Sequence, residues 1–92
     1  MNFTSAVIQS LITCLQRDGW VCDEQLLGSY AFEHHRDEIY TSIRDAGYEE
    51  PLESGGCVEG GGGRAIYYLY EPGRLSHDEA LAHARRWLSE NE

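Results

Sequence analysis

Apolar side chains at Val7, Ile8, Leu11, Ile12 and Leu15 recur at the spacing that places them on one stripe of a helix. Asn2, Thr4 and Ser5 precede the stripe and offer side-chain oxygens for an N-cap. The stripe stops at Asp18, Gly19 and Trp20. Glycine accepts the left-handed backbone of a helix exit, so a helix ending there is predicted, with Trp20 folding over Leu15 in a Schellman ending. The same punctuation returns: Leu11, Leu15, Gly19 and Trp20 are echoed, at constant spacing, by Ile39, Ile43, Gly47 and Tyr48. Two helices with a common stop chemistry explain this better than a duplicated unit. The second helix is predicted to begin near Glu33. Residues 23–32 carry two readings. Asp23 caps a helix running through Leu26 and Leu27, or Gly28 breaks it and Tyr30, Ala31 and Phe32 are extended.

From Glu49 the character changes. Pro51, Gly55, Gly56 and the four glycines at 60–63 are loop punctuation. Cys57, Val58 and Glu59 form a short strand candidate. Residues 64–71 (RAIYYLYE) are dense in β-branched and aromatic residues and predict a strand, paired with the first in a hairpin closed by the glycines. Ala65, Tyr67 and Leu69 fall on one face of that strand, Ile66, Tyr68 and Tyr70 on the other. A strand apolar on both faces is central to a sheet or has one face covered by a partner. Pro72 and Gly73 end it. The last helix is marked by the S-x-x-E capping box of Ser76 and Glu79, by Leu75 as a staple to Ala80, and by the stripe Leu81, Ala84, Trp87 and Leu88. About three helices packed on a small antiparallel sheet give an α+β fold, and the 92 residues make one domain over 1–92.

Composition narrows the function classes. Every positive side chain is arginine: seven of them against 16 Asp plus Glu, for a formal net charge of −9. Such a chain does not wrap nucleic acid by bulk attraction. The odd set Cys14, Cys22 and Cys57 has no CxxC pair, which argues against a disulfide framework and for a reducing, cytoplasmic setting. No positively charged leader precedes an apolar run, and no apolar stretch approaches a membrane span.

The candidate chemistry is thin. His34 and Asp37 have helix spacing for metal ligands, but two ligands do not make a site, so no metal is expected. Cys14 sits beside the first stripe as a small core residue, and neither Cys22 nor Cys57 carries a nucleophile signature. The glycine run lacks the Lys and Ser/Thr of a phosphate loop and opens a strand rather than a helix. No cofactor, small-molecule substrate or catalytic residue is therefore expected, and the chain reads as a binding protein rather than an enzyme. Arg64 with Tyr67, Tyr68 and Tyr70 suggests an RNA-stacking strand, against which the net charge stands.

Charge distribution gives the partner expectation. Residues 1–59 hold 11 acids and three arginines, residues 60–92 five acids and four arginines. Asp23, Glu24, Asp37, Glu38, Glu49 and Glu50 are expected to meet a basic, nucleic-acid-binding protein or ribonucleoprotein. Arg64, Arg74, Arg85 and Arg86, with Tyr68 and Tyr70, are expected to add contacts to carboxylates or RNA phosphates. Truncating these arginines should then weaken binding more than folding. In size, acidity and single-domain length the chain resembles small phage-encoded inhibitors of bacterial defence, including anti-CRISPR and antirestriction proteins. The resemblance rests on no motif and transfers no residue. It implies a non-catalytic inhibitor, acting in the host bacterial cytoplasm, that occupies the DNA-binding path of a Cas surveillance complex. An antitoxin or immunity-type partner of a basic protein is the alternative, and a small RNA-binding protein a further one.

Overall fold

In a computed structural model, which describes residues 3–91, the first stripe is helix α1, Ser5–Asp18, with the Thr4 hydroxyl accepting the Val7 N–H at 3.2 Å. Of the two other caps offered by the sequence, Ser5 is the first helical residue and Asn2 lies outside the described residues. Gly19 is left-handed (φ 79°), and its N–H closes on the Leu15 carbonyl at 2.8 Å. The expected Schellman ending is not formed here. Trp20 opens strand β1, Trp20–Cys22, and pairs with Tyr70, so its backbone enters a sheet instead of turning back. Its ring belongs to a different core from Leu15.

Residues 23–32 resolve into single helical turns. Helix α2 spans Asp23–Leu26; the Gln25 side chain, not Asp23, caps it by accepting the Cys22 N–H at 2.7 Å. Helix α3, Ala31–His34, follows Tyr30, and Ala31 and Phe32 are helical rather than extended. A break at His35 separates α3 from α4, Arg36–Asp45. The end of α4 carries the Schellman pattern: Gly47 (φ 97°) donates to Arg44 O at 2.9 Å and Tyr48 to Ile43 O at 3.3 Å. Tyr48 is buried in the same core as Ile43.

Strand β2, Glu53–Glu59, is longer than its predicted island, and β3 spans Ala65–Tyr70. The sheet order is β1-β3-β2, antiparallel throughout, so the strand apolar on both faces is the central one. The hairpin closes through a 3-10 turn over Gly61–Gly63. A bulge after Ser54 shifts the register by one residue, and the Tyr68 ring lies across Gly55: a Cβ there would sit 2.0 Å from Tyr68 Cζ. Helix α5, His77–Glu90, starts with the reciprocal Ser76–Glu79 capping box.

Period-two alternation then divides the side chains between two cores. Val21 and Leu69 face α1 and α4, joining Leu11, Leu15, Ile39 and Ile43. Trp20, Cys22, Ile66, Tyr68 and Tyr70 face α5. There Ala80 and Ala84, both fully buried, bring the helix backbone close to the large rings of the sheet, while Leu81 and Trp87 are only half-buried. The α+β class follows, as a helix layer on each face of a three-stranded sheet.

Candidate protein-binding surface

Two of the four arginines of the C-terminal third turn into the fold. Arg64 precedes β3 and donates through Nε (3.1 Å) and Nη2 (2.7 Å) to Glu24 Oε1. Its Nη1 donates to the Asn91 carbonyl, and its guanidinium lies 5.5 Å from the centre of the Trp87 ring. It therefore ties α2 to the end of α5. Arg74 follows β3 and closes the C-terminus of α1, donating to Leu15 O at 2.9 Å, Gln16 O at 2.6 Å and Arg17 O at 3.3 Å. Leu15 O already accepts the Gly19 N–H, while the Gln16 and Arg17 carbonyls lie beyond that last turn; together they carry the negative end of the helix dipole. Arg74 also bonds Glu71 Oε2 at 3.2 Å, and the buried Glu71 accepts the Tyr48 hydroxyl on its other oxygen. One network thus joins α1, β3 and the loop after α4. Arg85 and Arg86 are exposed on α5, with no hydrogen-bond or ion-pair partner among the described residues.

The two tyrosines expected at a partner surface are core residues. Tyr68 is fully buried, and Tyr70, 4% exposed, donates its hydroxyl to Glu53 at 2.8 Å. The sequence left both faces of β3 apolar, and α5 covers the face that holds them. Tyr67, on the other face, is half-buried and touches the exposed Tyr30. Tyr30 is not among the residues expected from the sequence at a partner surface. Its φ of 64° makes it the one non-glycine residue in the left-handed region among the described residues. No residue-type pattern announces such a conformation.

The acids also divide. Asp23 is fully buried; Oδ1 accepts the Tyr67 N–H at 3.3 Å and Oδ2 has no partner among the described residues. Burial pushes its carboxyl up to about 6. It cannot meet a partner. Glu24 is half-buried under Arg64. Asp37, Glu49 and Glu50 are exposed, and Glu38 is half-buried, 3.7 Å from His35 Nδ1. Asp37 and Glu38 stand on the first turn of α4, and Glu49 and Glu50 on the loop that the Schellman ending holds out. Across residues 33–59, Glu33, Asp37, Asp45, Glu49, Glu50, Glu53 and Glu59 are all exposed, against Arg36 and Arg44. Glu33 and Glu59, counted among the acids of residues 1–59 but not among the expected partner contacts, belong to this exposed set.

The groups considered for chemistry are dispersed. Among the described residues no three His, Cys, Asp or Glu side chains gather as a metal site would require. The Cys14 and Cys22 thiols are buried, and burial pushes Cys22 up to about 12, away from thiolate reactivity. Cys57 is exposed on β2, opposite Tyr67. Among the described residues no helix is long and apolar enough to cross a membrane. No family model, curated protein or solved structure matches this chain.

Proposed function

We propose that the protein is a non-catalytic inhibitor that lays carboxylates on a basic, nucleic-acid-binding surface of a partner protein. The observation that carries this reading is the inward turn of Arg64 and Arg74. With those cations engaged by Glu24, Glu71 and backbone carbonyls, the exposed run of acids from Glu33 to Glu59 faces solvent with only Arg36 and Arg44 among it. A surface of one sign steers a partner of the other and competes for the groove that phosphates would fill. A Cas surveillance complex in a bacterial cytoplasm is the partner class favoured here, the protein being phage-encoded. Of the residues expected to contact the partner, Asp37, Glu38, Glu49, Glu50, Arg85 and Arg86 remain. Of the residues that suggested RNA stacking only Tyr67 stays accessible, since Arg64 is engaged and Tyr68 and Tyr70 are buried.

The experiment is competition between the purified protein and target DNA for a Cas complex across a salt series. The expected result is displacement of DNA that weakens as salt rises and is reduced by Glu49→Gln with Glu50→Gln. Undiminished DNA binding at saturating protein refutes the Cas assignment. Failure to capture any basic nucleic-acid-binding protein or basic toxin from the host refutes the wider reading.

A further inference from the structure

Beside the outer strand of the hairpin lies a cavity of about 280 Å³. Its walls include Tyr30, Tyr67, Cys57, Glu59 and Arg64. Tyr30 is one of only two large apolar side chains left exposed among the described residues, at 39%. Its ring meets Tyr67 at a centroid distance of 5.7 Å and an angle of 55°, forming an open aromatic corner, and stacks on His34 from behind at 5.9 Å. The neighbouring Glu33 carboxylate pushes the Tyr67 hydroxyl up to about 12. The charges facing the corner are thus the carboxylates of Glu33 and Glu59 and the guanidinium of Arg64, which Glu24 already neutralises.

The backbone makes this arrangement at a cost. A tyrosine held at φ 64° is strained by about 1–3 kcal/mol, and Tyr30 caps a helical turn of only four residues without a side-chain hydrogen bond. A strained residue whose ring stays in solvent is better explained by what the ring meets than by folding.

We infer that the Tyr30–Tyr67 corner, rimmed by Glu33 and Glu59, receives a lysine or arginine side chain of the partner protein. The π-faces attract the cation, the two carboxylates add charge at the rim, and the aliphatic stem lies against the rings. Gly63, which lines the cavity, has open space on its side-chain side, since a Cβ there would meet nothing within 4 Å. The inference names the anchoring contact of the proposed acidic docking surface and rests on that reading for the identity of the cation's donor.

The test is a titration of the isotopically labelled protein with N-acetyl-arginine amide and N-acetyl-lysine amide at low salt, followed by amide NMR. Saturable shifts are expected at Tyr30, Tyr67, Cys57 and Glu59. Binding should weaken about tenfold or more in Tyr67→Leu and in Tyr30→Asn. Asparagine tolerates the left-handed region, so Tyr30→Asn should keep or raise the Tm while losing the cation. A fall in Tm with unchanged cation binding makes Tyr30 structural and overturns the inference. So do shifts centred on Glu49 and Glu50, no saturable shift at all, or the same profile evoked by oligouridylate instead of the cations. The functional reading fails separately. Partner capture by the intact protein that is insensitive to Tyr30→Asn removes the corner and leaves that reading standing. Cation binding at the corner with no basic partner captured does the reverse.

Discussion

Arg74→Ala should destabilise the fold by about 2–4 kcal/mol, although the side chain is 45% exposed and was expected from the sequence to serve recognition. The magnitude follows from what is left behind. Glu71 remains, its side chain only 6% exposed, with the Tyr48 hydroxyl as its side-chain partner but no cation. Removing one partner of a buried pair costs about 3–5 kcal/mol, discounted here because the guanidinium is half in water. The carbonyls of Leu15, Gln16 and Arg17 also lose a charged donor, but as helix-end groups they regain water and add little. For a domain of this length each kcal/mol lowers the Tm by about 4–8 °C, so a fall of roughly 8–30 °C is expected. The assay is urea and thermal unfolding of the wild type, Arg74→Ala, Glu71→Gln and the double variant. A favourable coupling of more than about 1 kcal/mol should appear in the cycle, because the two residues share one network. A single-variant loss below about 1 kcal/mol, or strict additivity, would refute the argument that Arg74 is a structural cap.

Other outcomes follow from the same physics. Asp23 has its folded pKa raised to about 6 by burial, above its unfolded value. Its contribution to stability is therefore fully present below about pH 4 and is lost as pH rises through about 6, up to roughly 3 kcal/mol, so Asp23→Asn should flatten the stability profile between pH 4 and 6.5 in urea melts. Gly55→Ala puts a methyl group into the Tyr68 ring and should cost about 3 kcal/mol or more, read as a lower urea midpoint with loss of near-ultraviolet circular dichroism. Arg64→Ala severs Glu24 from the end of α5 and should lower the Tm, whereas Arg85→Ala with Arg86→Ala should leave it within a few degrees and alter only the salt dependence of partner binding.

Much of this fold was legible because its signals are local. A capping oxygen, a glycine that accepts positive φ and a stripe at helical spacing act within one or two turns of chain. Thr4, Gly47 and the Ser76–Glu79 box accordingly do what their residue types imply. The two similar helix stops show the limit. Around Gly19 and Gly47 the sequence offers the same chemistry, yet Tyr48 folds back on Ile43 while Trp20 leaves to pair with Tyr70. A strand fifty residues away decides that, and no local pattern contains it. The same holds for β1, too short at three residues to show periodicity.

Taken alone, the sequence determined the helix ends, the central strand and the excess of carboxylate, since propensity, capping and net charge are properties of neighbours in the chain. Tertiary structure alone decided which charges and rings face outward. Burial and pairing depend on what packs opposite. Arg64 and Arg74 were placed against Glu24, Glu71 and helix carbonyls, Asp23 was sealed under β3, and Tyr68 and Tyr70 were turned toward α5. What remained at the surface was a different pair of aromatics, Tyr30 and Tyr67, set among glutamates. The tight alanine packing of α5 against one face of β3 and the left-handed turn at Tyr30 on the other are the contacts that put them there.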